Sequence, residues 1–123
     1  MEQEGIPATA DEWVKIADHV LDDDVQVGAK IEDIIFDPLV MTVGVDEQAA
    51  RATLETIRRL REVFLENYII GGTSNVSFDI SARHILNANF LALVTGFWLN
   101  VPVTDATHPE ERFALLSADI FLG

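Results

Sequence analysis

"IIGGTSNVSFD", residues 69–79, runs Ile69-Ile70-Gly71-Gly72-Thr73-Ser74-Asn75-Val76-Ser77-Phe78-Asp79. It opens as a buried-type strand and turns abruptly into glycines, hydroxyls and an amide. A short apolar run that breaks into a polar, glycine-containing loop ahead of a helical segment reads as one βα junction of a parallel sheet. Residues 81–96 supply that helix, with Ile85, Leu86, Leu93 and Val94 as its apolar residues.

The same alternation continues in both directions. Upstream, a helix is expected from about Asp46 to Leu65, with Ala50, Leu54, Ile57, Leu60 and Phe64 on one face. Glu55 stands four residues before Arg59 as a supporting pair. Before it, Asp33-Ile34-Ile35-Phe36-Asp37-Pro38 is a short strand ended by a proline that cannot continue a ladder. The first helix opens at Thr9-Ala10-Asp11-Glu12, a capping box, presents Trp13, Ile16, Ala17, Val20 and Leu21 on one face, and stops near Gly28. Downstream, Leu99 to Thr104 is a third strand, and Thr107-His108-Pro109-Glu110 is a second capping box opening a helix to about Ala118. Asp119 to Gly123 completes the series as a fourth strand. The expected class is α/β, about four parallel strands alternating with four helices. That order fits a small open sheet, or half of a TIM-type (β/α)8 barrel, which takes about 250 residues.

Composition narrows the function. The 123 residues fit one domain, residues 1–123, and 49% hydrophobic with 24% charged residues is globular composition. Twenty-one acids against eight bases give a formal net charge of −13, a field that repels phosphate backbones and anionic membranes alike. No apolar run approaches the ~18–20 residues of a membrane span. With no cysteine there is neither a disulfide framework nor a thiolate metal site. The acidic start, Met1-Glu2-Gln3-Glu4, lacks the layout of a signal peptide, so a cytoplasmic protein is expected.

Parallel α/β folds bind ligands at the carboxyl ends of their strands. Those ends carry Asp37, then Thr73, Ser74, Asn75 and Ser77, then Thr104 and Asp105. A carboxylate and an amide at adjacent strand ends can together grip the edge of a flat, donor-rich heterocycle without a metal. The plainer alternative makes Asp37 a turn former before Pro38, and Asn75 and Ser77 caps of the next helix. His19 with Asp22, Asp23 and Asp24 has metal-like spacing but reads as a solvated helix end. His84 and His108 read as surface residues at helix starts. Arg83 either meets an anion or pairs with Asp79, the pair being expected.

"DIIFDPLVMTVGVD", "ATLETIRRLRE" and "GGTSNVSFDISARHILNANFLAL" together resemble the methyltetrahydrofolate:corrinoid methyltransferases of the pterin-binding superfamily that includes dihydropteroate synthase. "EGIPATADEW" is similar to the segment entering the fourth helix of those barrels, so the chain resembles the C-terminal half. The resemblance implies transfer of a methyl group from N5 of methyltetrahydrofolate to the cobalt of a corrinoid (cobalamin) carried by a partner protein. It implies that Asn75 is the catalytic residue beside N5, that Asp37 grips the amino-pyrimidine edge, and that Ser77, Arg83 and Asn87 shape the substrate site. Four residues at three sites depart from the family pattern. Asp79 replaces a glycine, Ser81 a common proline, and Phe97-Trp98 a small, glycine-containing site.

Half a barrel leaves strand edges and inner faces uncovered, so a homo-oligomer or a complementary half-barrel chain is expected. The alternative is a non-catalytic truncated half barrel that binds pterin weakly or serves as an assembly subunit. A dihydropteroate-synthase-like transferase is disfavoured, because its chemistry wants a lysine and an arginine near the pterin and pyrophosphate. The chain's two lysines, Lys15 and Lys30, lie in or just after the first helix.

Overall fold

A computed structural model describes residues 5–123; the N-terminal residues 1–4, read above as unlike a signal peptide, lie outside the described residues. Its elements are α1 (Ala10–Gln26), β1 (Ile35–Phe36), α2 (Ala49–Val63), β2 (Tyr68–Gly72), α3 (Arg83–Gly96), β3 (Val101–Val103) and α4 (Pro109–Leu122), with 3-10 turns at Ile31–Asp33 and Thr73–Ser77. The strands form one parallel sheet in the order β1-β2-β3, with Ile35 opposite Tyr68, Phe36 opposite Ile69, and Ile70, Gly71 and Gly72 opposite Val101, Pro102 and Val103. The described chain is therefore α/β with four helices and three parallel strands.

The fourth expected strand, Asp119–Gly123, is helix through Leu122. A short apolar run has no period of its own, and no proline or glycine interrupts residues 110–122. Glu111, Leu115 and Ala118 recur at helical spacing and carry the turns onward, with Glu111 and Ala118 buried and Leu115 against the core. The second capping box does not form either. His108 is the N-cap and makes no side-chain cap bond, while Thr107 Oγ1 donates to Asp105 Oδ1 at 2.6 Å.

The first capping box does form. Thr9 Oγ1 accepts from the Glu12 amide at 3.3 Å, and Glu12 Oε2 accepts from the Thr9 amide at 3.3 Å. Such a cap contributes about 1 kcal/mol. At the other end, Gly28 has φ +99°, its amide donates to Val25 O, and Ala29 donates to Asp24 O. These are the paired bonds of a Schellman ending, in which the left-handed residue is normally glycine. α3 ends the same way, with Trp98 N on Thr95 O and Leu99 N on Val94 O, yet a tryptophan holds the left-handed position at φ 71°.

The sheet has a covered and an open face. Phe36, Ile69 and Gly71 are buried beneath Ile57, Leu60 and Phe64 of the α2 region and Phe90, Leu91 and Val94 of α3. Each fully buried aliphatic side chain contributes about 1.5–3 kcal/mol. Gly71 permits close packing there: a Cβ would lie 2.9 Å from Leu99 Cδ1. On the other face Ile35, Tyr68 and Val103 are 53%, 51% and 56% exposed. Parallel sheets ordinarily have both faces covered.

Several expected faces shift. α2 starts at Ala49, because Asp46 forms a turn whose side chain accepts from Gln48 N at 2.9 Å and whose carbonyl accepts from Ala49 N at 3.0 Å. Its buried face includes Thr53 and Thr56, with Ala50 and Leu54 at the margin. Glu55 pairs with Arg58, and Arg59 reaches Asp11 of α1 at 3.0 Å. On α1 only Ala17 of the expected face is buried, and Ile16 and Val20 are exposed. On α3 the buried residues are Asn87, Ala88, Phe90, Leu91 and Val94, leaving Ile85, Leu86 and Leu93 exposed.

Two asparagines and an arginine fasten the N-terminal ends of the strands. Buried Asn67 donates through Nδ2 to Ile31 O (2.8 Å) and Ile34 O (3.0 Å), which shortens β1 by holding residues 31–33 in a turn. Asn100 Oδ1 accepts from Ile69 N at 2.8 Å. Arg61 donates to the carbonyls of Phe64, Leu65, Asn67 and Trp98, joining the ends of α2 and α3. Burial of this guanidinium lowers its pKa from the ordinary arginine value.

Candidate functional site

The carboxyl ends of β1, β2 and β3 lie at the same end of the sheet, so the loops starting at Asp37, Thr73 and Thr104 are neighbours. Thr73 Oγ1 donates to Val103 O at 3.1 Å and ties the second strand end to the third. Val43 N donates to Val76 O (3.0 Å) and Thr42 Oγ1 to Phe78 O (2.9 Å), docking the β1–α2 loop on the Thr73–Ser77 turn.

Asn75 is exposed on that turn. Its amide folds back over Gly72, where a Cβ would stand 2.9 Å from Asn75 Nδ2. The missing side chain at Gly72 is what gives the amide its place. Asp37 is exposed too, and its Oδ1 accepts from Leu39 N at 2.9 Å. The turn-forming reading of Asp37 is thus met in the structure. The helix-capping reading of Asn75 and Ser77 is not: the N-cap of α3 is Ala82, which carries no side-chain cap bond.

Ser77, Arg83 and Asn87 do converge. Ser77 Oγ, fully buried, donates to Asn87 Oδ1 at 2.5 Å and accepts from Arg83 Nε at 3.1 Å. Arg83 Nη2 also donates to Ser74 O at 3.1 Å, and its guanidinium lies 5.9 Å from the Phe78 ring centroid. The expected Arg83–Asp79 pair does not form; Arg83 Nε and Nη2 are directed to Ser77 and Ser74 of the turn. Asp79 instead points the chain through φ 63°.

One member of this cluster is invisible to motif reading. Glu111 of α4 is 0% exposed. It accepts from Asn87 Nδ2 at 3.3 Å, from Asp105 N at 3.1 Å and from Thr104 Oγ1. The expected capping box drew attention to Glu110, whereas the helical spacing of Glu111, Leu115 and Ala118 is the signal that would have found it. His84 and His108 are also less isolated than expected: their rings stack at 3.4 Å, His84 Nδ1 lies 3.8 Å from Glu111 Oε1, and His108 Nε2 lies 3.2 Å from Asp105 Oδ2. Bonds from the Thr107 hydroxyl and amide, with a smaller contribution from His108, hold the Asp105 carboxyl below its ordinary pKa. His19 and Asp23 are an exposed pair 3.6 Å apart. Among the described residues no group of three or more His, Asp or Glu side chains converges on a metal position.

Backbone strain gathers around the same loops. Four non-glycine residues among those described have positive φ: Leu39, Asp79, Ala82 and Trp98. Three of them lie in the loops after β1 and β2, where held backbone of this kind commonly marks binding sites. Asp79 replaces a glycine of the family pattern, and Trp98 belongs to the Phe97-Trp98 pair that stands where the pattern has a small, glycine-containing site. The left-handed backbone there is the conformation glycine adopts at least cost. A concavity of about 290 Å³ between Trp13, Pro38, Met41 and Thr53 flanks the β1 loop, while a larger one, about 750 Å³, lies at the opposite end beside Arg61 and Trp98.

Over 119 residues, 97% of its length, the chain is 27% identical to a protein named methylcorrinoid:tetrahydrofolate methyltransferase from Eubacterium limosum. That is what it is similar to. The likeness supports the corrinoid methyltransferase resemblance read from the sequence. The chain spans 44% of the length of that relative. No family model matches the chain. No helix among the described residues is long and apolar enough to cross a membrane.

Proposed function

We propose that this chain is the pterin-holding part of a methyltransferase that moves a methyl group between N5 of tetrahydrofolate and a corrinoid carried by a partner protein. The observation that carries the reading is its similarity, over 97% of its own length, to a relative of that name, together with exposed Asn75 after β2 and exposed Asp37 after the adjacent strand β1. The fold reading that accompanies it is half of a (β/α)8 barrel. The open sheet face would be covered by the complementary half of the barrel.

In this reading Asp37 uses Oδ1 for its own turn and offers Oδ2 to the N–H edge of the amino-pyrimidine. Asn75 both donates and accepts, so it serves the reaction in either direction. When methyltetrahydrofolate is the donor, Nδ2 donates to N5 as the N5–CH3 bond breaks and its electron pair returns to nitrogen. When tetrahydrofolate is the acceptor, the N5 pair forms the bond to the methyl carbon and the N5 proton passes to solvent. The electron pair of the broken bond stays with the methyl donor. The relative's name is written in the second direction. A preorganised donor at the atom where charge changes contributes about 10²–10³ in rate.

Titration of the purified chain with tetrahydrofolate and with methyltetrahydrofolate tests the reading. Saturable binding that is lost on Asn75→Ala is expected. Absence of saturable binding by the unaltered chain would overturn it.

A further inference from the structure

The buried carboxylate on α4 has no part in the roles assigned above. We infer that Glu111 is a positioning residue that sets the orientation of Asn75 from two side chains away; the inference rests on the pterin reading of that loop.

Glu111 as carboxylate has only acceptors. Its oxygens therefore fix the direction of every bond around them: Asn87 must turn Nδ2 toward it, and Thr104 Oγ1 and Asp105 N must donate to it. With Nδ2 committed, Asn87 presents Oδ1 to the other side and accepts the hydrogen bond of the Ser77 hydroxyl at 2.5 Å. The Ser77 oxygen then has its lone pairs for Arg83 Nε, and Arg83 Nη2 grips Ser74 O. Ser74 and Ser77 bracket Asn75 on the turn. The same carboxylate holds Thr104 and Asp105, so one buried group registers the second strand end against the third. Burial makes the direction firm, because a reversed amide would set Asn87 Oδ1 against the Glu111 carboxylate, acceptor facing acceptor, in a place solvent does not reach.

Glu111→Gln keeps the size and replaces one acceptor by a donor. The expected outcome is a folded protein whose Asn75 side-chain amide resonances move, while those of Asn67 and Asn100, at the opposite end of the strands, stay in place. Tetrahydrofolate affinity is expected to weaken about tenfold, the effect of one mis-set hydrogen bond. A merely structural role would lower stability without singling out Asn75. Unmoved Asn75 resonances overturn the inference, as does an unchanged affinity in a chain that binds. If the unaltered chain fails to bind, the pterin reading falls and the resonance shift alone decides the positioning. If Glu111→Gln does not fold, Glu111→Asp, which keeps the acceptors but withdraws them from Asn87, is judged by the same resonances.

Discussion

Gly72→Ala separates the site from the fold. Gly72 lies at φ −75°, so alanine meets no backbone penalty. The unfolded chain loses freedom, which raises stability by about 0.4–1 kcal/mol. The new Cβ, however, stands 2.9 Å from Asn75 Nδ2, where ordinary contact begins near 3.4 Å. The amide must move by roughly 0.5 Å, the difference of those two distances. Because Asn75 is exposed, the move costs the fold little. It costs the ligand its aligned hydrogen bond, about 1.4 kcal/mol or tenfold in affinity. Thermal melting and calorimetric titration with tetrahydrofolate, run on the same preparation, read both quantities. The expected pair is an unchanged or slightly raised melting temperature with about tenfold weaker binding. Undiminished affinity would refute the placement of Asn75 at the ligand. A loss of more than about 1 kcal/mol of stability would refute the claim that the amide yields freely.

Other perturbations address the frame. Asn67→Ala removes the donor to two carbonyls in the Ile31–Asp33 turn region and should destabilise by about 2 kcal/mol in urea unfolding, with little effect on binding. Arg61→Ala, which releases four carbonyls, should cost a similar amount, about 2 kcal/mol, by the same measurement. Asp79→Gly should stabilise by about 0.5 kcal/mol, because relief of the left-handed backbone outweighs the added chain entropy. The depressed Asp105 pKa contributes stability above the ordinary aspartate value of 3.8, and that stability fades as pH falls through the lower folded value. Thr107→Val should therefore be less stable than the parent at neutral pH, and the gap should close in denaturation curves taken below pH 3.8.

The βα order was legible because α1, α2 and β2 each carry a local signal: a capping box, a long period, and an apolar run that ends in glycine. The last element was not. Ile120-Phe121-Leu122 suits a strand or a helix equally, and its state is decided by packing against α3 through Leu115 and Ala118. Likewise Asn75, Asp37 and Ser77 could be picked out by their positions at strand ends, whereas Glu111 owes its place to a tertiary bond with Asn87, 24 residues away. Arg83 could be marked as a site residue but not given its partner, since Ser77 Oγ and Ser74 O compete with Asp79 only in the folded turn.

The two ends of the sheet are fastened by different means, with a consequence for how variation is tolerated. Asn67, Asn100 and Arg61 clamp one end through backbone carbonyls and amides, whereas the other adds a network of side chains that bond one another. Changes at the first end should register as heat sensitivity, and changes at the second as altered ligand preference. A library randomised over the exposed residues among 73–87 and 104–111 could therefore be sorted on binding, with melting read alongside to remove variants that disturb buried Ser77, Asn87 and Glu111. Evolution has the same freedom: the loop end can vary while the clamped end keeps the strands aligned.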